Sequence, residues 1–343
     1  MPLLSILLIP FILAMFLAIN MGGSGIGPSF SAAYGSKIIN KRLIPGLFGV
    51  MVFFGAIFLG KETTRTIGNE ILQSDMMSLI VVSIILLSVS ISLLIANLSG
   101  VPQSTSQATV MAVIAPALYY NNFDSQKLLY EIIPTWFILP VISFFISLFI
   151  GKYIYKPMRK RGYTISRSNN VNSRPVLNAV IIIASLYVAF SIGANNVANA
   201  AGPIASMTAN EMNISLNDNF KILGILGILI IAPCFGIGSL IFGHKILKNT
   251  GREIIRFGKF EAVIISVVSA SLLLFASIVK GIPTSLVQLS VASILGIGVA
   301  KLGPKNIFKK TEVRKFFYIW IIAPVISFSL SLFFIVLADY LIL

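Results

Sequence analysis

Three asparagines in the middle of the chain, Asn195, Asn196 and Asn199, follow an apolar run typical of a membrane-spanning helix. Lipid offers no hydrogen-bond partner, so amides at bilayer depth must face protein or a water-filled cavity. Gly193 and the pair Gly202-Pro203 flank the asparagines and predict a helix that is broken near the bilayer midplane. A broken helix leaves amides and backbone N–H groups free to hold an ion. The alternative is that the asparagines only bond neighbouring helices together.

Two further stretches combine a proline with small hydroxyl side chains. Pro102 and Pro283 each precede a run of Ser, Thr and Gln residues. Because proline suits the first turn of a helix, we expect residues 103–107 and 284–288 to lie in the first turns of two helices. Their N–H groups, their hydroxyls and the positive ends of the helix dipoles would form an anion site from neutral groups. The hydroxyls could instead be ordinary helix caps.

The composition is that of a polytopic membrane protein. Hydrophobic residues make up 57% of the chain and charged residues 11%, and the mean hydropathy is +0.94. The run from Leu3 to Ile19 has no basic residue before it, so we interpret it as the first membrane segment and not as a secretory signal. Apolar patterning predicts ten membrane segments, of which the first and sixth are interrupted. They are 3–36, 43–60, 77–98, 102–120, 129–151, 176–208, 222–243, 262–279, 283–300 and 316–338.

Charged residues fall in the connections and at the segment edges. With ten segments, alternate connections carry net charges of +18 and −3, which together give the +15 of the whole chain. The positive-inside rule places the basic connections, including the central loop, in the cytoplasm and both termini outside. The positive charge therefore indicates orientation in a cell membrane and does not indicate nucleic-acid binding.

The two halves of the chain repeat each other. Residues 136–149 and 320–333 are identical at ten of fourteen positions, and residues 101–110 resemble 282–291. Each half has five segments, so the second half enters the bilayer from the opposite side, which predicts inverted-topology repeats. We therefore predict an all-α fold in which broken helices and helical hairpins meet at a midplane site. The predicted parts are a first membrane repeat at 1–151, a basic cytoplasmic linker at 152–175 and a second, inverted repeat at 176–343.

The absent residue types are also informative. No acidic or basic residue lies deep in a predicted segment, and the one cysteine, Cys234, lies in an apolar run. We therefore expect no catalytic residues, no metal site, no cofactor and no enzymatic activity. The predicted substrate-binding residues are Ser24, Gly25, Ser104, Thr105, Ser106, Asn195, Asn196, Asn199 and Ser285. Residues predicted to bind an ion or to support the site are Asn20, Gln107, Thr284 and Gln288.

The segment Gly193–Ala200 resembles the duplicated GANDVANA signature of the inorganic phosphate transporter (PiT) family, and Pro102–Thr109 resembles its repeated Pro-x-Ser-Thr-Thr element. The resemblance covers both halves and implies alternating-access symport of an oxyanion with a cation. The acidic position of the signature is Asn196 here, and in the first half Gly22–Pro28 largely replaces the motif. Three stretches look closer to the CysP-type sulfate permease branch of the family: the early Asn-x-Gly-x-Ser-Gly pattern, Ala33–Ser36 and Asn-Asn-Val-Ala-Asn-Ala. This resemblance implies proton coupling.

Sulfate also suits a site of neutral donors, because it is a fully deprotonated dianion at physiological pH. Phosphate is partly protonated and would benefit from a carboxylate, which the predicted site lacks. The sequence therefore favours import of sulfate with protons, or with sodium as the other coupling cation. The alternatives are a phosphate symporter of the same family, a passive anion channel and a non-transporting membrane scaffold. Besides the oxyanion, the coupling cation and the lipid bilayer, a second copy of the chain in a homodimer is a partner that the sequence leaves open.

Overall fold

The computed structural model describes residues 3–99, 103–122, 126–160, 175–213, 216–249 and 258–342. Within these residues every regular element is helical, which confirms the predicted all-helical fold class. The first half contains the α-helices α1 Leu3–Gly35, α2 Ile44–Leu59, α3 Lys61–Arg65, α4 Leu79–Ser99, α5 Thr105–Tyr119, α6 Ile133–Phe149 and α7 Lys156–Lys160. The second half contains α8 Pro175–Asn196, α9 Ala198–Glu211, α10 Leu216–Asn249, α11 Lys259–Lys280, α12 Leu286–Leu302, α13 Pro304–Phe308 and α14 Thr311–Ile342. Shorter helical turns are Thr66–Glu70, Ser74–Met76, Leu128–Ile132 and Ile150–Tyr155.

Seven helices among the described residues are long and apolar enough to cross a bilayer, or eight if α2 and the following bent segment form one span. Each of the ten predicted segments coincides with a helix, but α5 and α12 have only 15 and 17 residues. At 1.5 Å per residue they rise about 22 and 25 Å, less than the roughly 30 Å of a bilayer core. They are the short arms of two hairpins, α4–α5 and α11–α12.

Each hairpin is joined at its base by a polar contact. Asn122 Nδ2 donates to Gln73 Oε1 at 3.1 Å below the first hairpin. Lys301 Nζ lies 2.8 Å from Glu261 Oε1 below the second. The opposite ends of the two hairpins, their tips, meet inside the protein, where Gln107 and Gln288 bond to each other.

The packing of the helices is duplicated between the halves. Helix α1 packs on α10 as α8 packs on α2, and α6 packs on α12 as α14 packs on α5. Equivalent serines of the repeated motif, Ser147 and Ser331, contact equivalent positions of the helices on which they pack. Ser147 Oγ lies 2.6 Å from Ser293 Oγ, and Ser331 Oγ donates to the carbonyl of Ala112 at 2.8 Å. This duplicated packing supports the predicted repeat, although its boundaries and its inverted topology stay predictions.

The predicted interruption of the first segment is wrong. Helix α1 runs through Pro28 without a break, and the glycines before Pro28 serve close packing instead. A Cβ on Gly22 would collide with the carbonyl oxygen of Phe235 on α10. Ser29 Oγ adds a hydrogen bond to the carbonyl of Gly25 at 2.9 Å in the turn that contains Pro28, and such side-chain bonds help a membrane helix to tolerate proline.

The ion pairs join groups that the charge sum places on one side of the membrane. Lys127 pairs with Glu70, and Lys280 Nζ lies 2.8 Å from Glu131 Oε1. All four residues belong to connections predicted to lie outside. The Lys301–Glu261 pair joins two connections predicted to be cytoplasmic. The grouping of the connections into two sides therefore agrees with the tertiary structure.

The predicted linker between the halves begins later than residue 152. The helical path of α6 continues through Ile150–Tyr155 and α7 to Lys160, and α8 begins at Pro175. The remaining linker residues, 161–174, lie outside the described residues. The predicted boundary at 152 thus falls inside a continuous helical stretch.

Candidate functional site

The three central asparagines lie where α8 gives way to α9. The irregularity at this junction is Val197, whose carbonyl accepts N–H groups from both Ala200 and Ala201 at 3.2 and 3.0 Å. Val197 keeps helical backbone angles (φ −59°, ψ −32°), and Pro175–Glu211 forms one membrane span, so the predicted break of this segment is wrong. Asn195 and Asn196 end α8, while Asn199 lies in the first turn of α9. Their exposed fractions are 0%, 7% and 0%, so they face protein and not lipid.

Asn195 links α8 to both hairpins. Its Oδ1 accepts the hydroxyl of Ser106 and the backbone N–H of Thr284, each at 3.2 Å. Its Nδ2 donates to Ser277 Oγ at 2.8 Å and to the carbonyl of Ile282 at 3.1 Å. These four bonds use the whole capacity of an asparagine side chain, which has two donors and two acceptor sites. Asn195, predicted to bind substrate, is therefore a positioning residue in this structure.

Asn196 and Asn199 keep unused capacity. Asn196 Nδ2 donates to Thr105 Oγ1 at 3.1 Å, and Asn199 Nδ2 donates to Ser106 Oγ at 3.4 Å and contacts Met21 Sδ at 3.8 Å. The Oδ1 atoms of both asparagines are buried and have no hydrogen-bond partner. A buried polar atom without a partner costs about 1–3 kcal/mol, so these two atoms mark a place where a ligand would be stabilising.

The same two side chains can present either an oxygen or an N–H group. The hydroxyl of Thr105 can donate instead of accept, so turning the Asn196 amide by 180° preserves the bond to Thr105 and places an N–H group where Oδ1 now lacks a partner. Turning the Asn199 amide would need the proton of Ser106, which is donated to Asn195 Oδ1, so that change costs the Ser106–Asn195 bond. Asn196 can therefore offer a donor to an anion without losing a bond, and Asn199 can do so at the cost of that one bond. In the other orientation they offer carbonyl oxygens to a cation or to a protonated ligand.

The hairpin tips contribute two helix N-termini. Helices α5 and α12 begin at Thr105 and Leu286, later than the prolines predict, because Ser104 and Ser285 act as N-caps. Ser104 Oγ accepts the N–H of Gln107 at 3.3 Å, and Ser285 Oγ accepts the N–H of Gln288 at 3.2 Å. The expectation that the residues after each proline lie directly in a helical turn is thus wrong for residues 103–104 and 284–285, which precede the two helices. Both serines are caps, yet a capping hydroxyl retains its own proton to donate.

The first-turn N–H groups that the caps do not bind complete the site. In α5 these belong to Thr105 and Ser106, and in α12 to Leu286 and Val287, which have no partner within their own helix. Thr105 and Ser106 also carry the hydroxyls that contact the asparagines. Two positive helix ends, hydroxyls and amides thus lie together in the protein interior, and no charged side chain among the described residues bonds to any of these groups.

The glutamines that follow the caps join the two hairpins. Gln107 Nε2 donates to Gln288 Oε1 at 3.1 Å, and Gln288 Nε2 donates to Gln107 Oε1 at 2.8 Å. Thr284 contributes its backbone N–H to Asn195 as described, while its hydroxyl donates to the carbonyl of Ile282 at 3.3 Å. All three predicted supporting residues of the hairpin tips therefore lie at the site.

The α1 residues predicted to bind substrate, Ser24 and Gly25, do not join this cluster. Ser24 Oγ donates to the carbonyl of Met21 within α1 at 3.0 Å, and a Cβ on Gly25 would meet Phe48 and Ile192. Asn20, predicted as ion or site support, donates to its own helix. The part of α1 that reaches the asparagines is Met21. The physical reason is that α1 remains helical, so Ser24 bonds along its own helix.

Two polar residues that contact predicted site residues escaped the sequence analysis. Asn97 of α4 donates to the backbone oxygen of Asn20 at 2.9 Å, and Ser277 Oγ of α11 accepts a hydrogen bond from Asn195 Nδ2. A polar residue within an apolar segment was the available signal for both. Glu261 lies away from the site, at the base of the second hairpin, and is 0% exposed. It caps α11 through the N–H of Gly258 and pairs with Lys301.

Comparison with known proteins gives consistent matches over the whole length. Residues 21–331 match the phosphate transporter family. The chain is 34% identical over 319 residues to the sulfate permease CysP of Bacillus subtilis, covering 93% of this chain and 84% of that protein. It is 25% identical over 401 residues to a putative phosphate permease of Thermococcus kodakarensis, covering 95% and 96% of the two chains.

One solved structure shares the fold. It is described as the sodium-dependent phosphate transporter, and it matches with a TM-score of 0.79 over 98% of this chain and 99% of that chain. The sequence identity is 22%, so this likeness concerns the arrangement of the helices.

Proposed function

Because the chain belongs to the phosphate transporter family, we propose that it imports sulfate by cation symport with alternating access. The observation that carries the proposal is the enclosed cluster of Asn196, Asn199, Thr105 and Ser106 at two helix N-termini. It combines many neutral donors with two buried atoms that lack a partner. A dianion held by such donors needs no protein cation.

The neutral cluster favours sulfate over phosphate. Sulfate only accepts hydrogen bonds at physiological pH, whereas phosphate also carries a proton. A carboxylate would bind that proton through a charge-assisted bond, roughly twice as strong as a bond to a neutral acceptor. Asn196 stands where the phosphate carriers' signature has its acid, so this advantage for phosphate is absent. The relative named a sulfate permease supports the same substrate.

A phosphate symporter is the second candidate. The unpartnered Oδ1 atoms of Asn196 and Asn199 could accept the proton of a phosphate ion without any change of amide orientation. The relatives named putative phosphate permeases support this alternative. A passive channel has less support, because the cluster residues are at most 7% exposed and a channel needs a continuous water path.

The proposed coupling cation is the proton. Moving a dianion inward opposes an interior-negative potential by about 2.3 kcal/mol per charge per 100 mV, so accumulation requires at least two cations for each sulfate. No ionisable side chain among the described residues bonds to the cluster, so protons would move with the anion or through water. Sodium is the rival, since amide oxygens such as those of Asn196 and Asn199 can bind it. The preference for protons rests mainly on the resemblance to the sulfate permease branch.

The proposed orientation places the basic connections in the cytoplasm and both termini outside. Its support is the charge difference between alternate connections, +18 against −3. Cysteine labelling from outside, at an introduced cysteine in the 61–75 connection and at one in the 301–315 connection, tests it. We expect reaction at the first position only.

The test of the function is uptake by purified protein in liposomes. Labelled sulfate and phosphate are supplied separately, with an inward proton gradient in sodium-free buffer and then with a sodium gradient alone. We expect sulfate uptake that needs the proton gradient and is abolished by a protonophore. Faster phosphate uptake at equal concentration would refute the proposed substrate. Uptake that requires sodium, or that ignores the protonophore, would refute the proposed coupling.

A further inference from the structure

Gln107 and Gln288 form a reciprocal contact between the halves of the protein. They lie on α5 and α12, 181 positions apart, and their exposed fractions are 5% and 4%. Each amide donates to the other, at 3.1 and 2.8 Å. The two short hairpin arms are thus held together by a reciprocal pair of hydrogen bonds inside the protein.

Each glutamine is also fixed to its own helix start. Gln107 and Gln288 both lie three residues after a capping serine, and their backbone N–H groups bond to the caps Ser104 and Ser285. A shift of one hairpin is therefore transmitted through the amide pair to the cap of the other. The N–H groups of Thr105 and Ser106 lie within the same first turn, so the amide pair links the two positive helix ends, alongside the bridge that Asn195 makes between Ser106 and Thr284.

We propose that the Gln107–Gln288 pair is a positioning element that holds the two helix N-termini at the spacing the oxyanion requires. This inference rests on the proposed function and specifies how its site is held. The pair acts through the caps and the first-turn N–H groups and does not itself contact the anion. Its two bonds need a donor and an acceptor on each side chain, which amides supply without a charge.

A glutamate on one side of the pair makes this requirement testable. In the variant Gln107→Glu, the protonated carboxyl can donate to Gln288 Oε1 and accept from Gln288 Nε2, so both bonds persist. Once ionised, the carboxyl has no donor, so Gln288 Oε1 loses its partner and a negative charge appears near the anion. No ionisable group among the described residues bonds to either native amide, so the introduced carboxyl would dominate any new pH dependence.

The experiment measures the KM and the maximal rate of sulfate uptake for the wild type, Gln107→Glu and Gln288→Glu across pH. Each variant is compared with the wild type at the same pH, so the pH dependence of coupling cancels. We expect both variants to approach the wild-type KM at acidic pH and to show a KM about tenfold higher or more when the carboxyl is ionised. The twin variants should behave alike, because the pair is reciprocal.

Gln103→Glu is the matched control. Gln103 lies at the same hairpin tip and is 3% exposed, but its Nε2 donates to Ser92 Oγ of α4 and not to the other hairpin. It introduces the same buried carboxyl without touching the pair. We expect its KM relative to the wild type to change with pH by less than a third of the change in the two pair variants.

The proposal is overturned if the KM of both pair variants, relative to the wild type, does not depend on pH. It is also overturned if the relative KM of Gln103→Glu changes with pH as much as that of the pair variants. If a glutamate variant does not fold, the neutral double variant Gln107→Met/Gln288→Met replaces it. Its KM should rise about tenfold at every pH with a nearly unchanged maximal rate, and a wild-type KM overturns the proposal.

The wild type separates this inference from the proposed function. If the wild type transports phosphate but not sulfate, the substrate assignment fails, and the same KM comparison is made with phosphate. If it transports neither, the melting temperature in detergent still tests the pair. Gln107→Glu should then match the wild type at acidic pH and melt at a lower temperature once the carboxyl is ionised. Equal melting temperatures of Gln107→Glu and the wild type at all pH values would overturn the proposed role of the pair.

Discussion

Asn196→Asp is the most direct test of the neutral site. The side chain is 7% exposed and bonds to Thr105 Oγ1 at 3.1 Å, and its other polar atom has no partner. Aspartate has nearly the same shape, and the hydroxyl of Thr105 can turn to donate to it. The substitution therefore adds a negative charge at the site while preserving the local contacts.

The expected loss of sulfate affinity can be calculated. A carboxylate about 5 Å from a sulfate dianion is repelled by roughly 7 kcal/mol at an effective dielectric constant of about 20. Protonation of the aspartate avoids this repulsion, and at pH 7 it costs about 4 kcal/mol, because the ordinary pKa of aspartate is about 3.9. Since the cheaper route determines the loss, sulfate affinity should fall about a thousandfold at pH 7.

The predicted loss has a characteristic pH dependence. The cost of protonation falls by about 1.4 kcal/mol per pH unit, so the affinity ratio to the wild type should fall from about a thousandfold at pH 7 to about tenfold at pH 5. Equilibrium binding of labelled sulfate to the purified protein measures it, with the wild type at each pH as reference. Asn306→Asp is the control, because Asn306 is exposed and bonds only to the carbonyl of Leu302. Affinity for Asn196→Asp within threefold of the wild type at pH 7 would refute the reasoning.

Three further substitutions separate binding residues from positioning residues, and a fourth tests a residue outside the cluster. Asn199→Ala should weaken sulfate binding about ten- to hundredfold with an unchanged melting temperature, because it removes a donor to a charged ligand worth about 1.5–3 kcal/mol. Asn195→Ala should instead lower the melting temperature and the membrane expression, since it breaks four buried bonds, and an Asn195→Ala protein of normal stability would contradict its linking role. Ser104→Ala combined with Ser106→Ala should reduce uptake at least tenfold, with about 1 kcal/mol of stability lost at the cap and a further loss because Ser106 Oγ bonds to Asn195 and Asn199, and near-normal uptake would show that neither hydroxyl is needed for transport. Ser24→Ala should retain uptake within about twofold of the wild type, as its hydroxyl bonds only within α1, and a large loss would return Ser24 to the site.

The distribution of charges along the chain explains why much of the fold could be predicted. Charged side chains are expensive in lipid, so they must collect in the connections, and their signs then separate the two sides. The repeated motifs, including Trp136 and Trp320 with the serines that follow, identify equivalent helices. Trp136 Nε1 donates to the carbonyl of Pro283, and Ser143 Oγ donates to the carbonyl of Leu289, so the motif residues connect α6 to the opposite hairpin.

The sequence was a poorer guide to local breaks. Glycine and proline predicted an interruption in α1, but α10 packs so closely there that Gly22 is required for space. Gly193 has the same role in α8, where a Cβ would collide with the carbonyl oxygen of Val52. A glycine that permits close packing and a glycine that ends a helix look alike in a sequence, because the difference lies in the neighbouring helix.

The sequence alone determined the membrane class, the all-helical fold and the amide- and hydroxyl-rich stretches that form the site. These follow from local composition, because burial in lipid constrains every residue of a segment. Only the tertiary structure decided which polar groups remain available. Asn195 is saturated by Ser106, Ser277, Ile282 and Thr284, which lie 82 to 89 positions away, whereas Asn196 and Asn199 each keep an unpartnered oxygen. The hydrogen-bonding capacity of a side chain is fixed by its type, but how much of it is already used depends on distant residues that folding brings into contact.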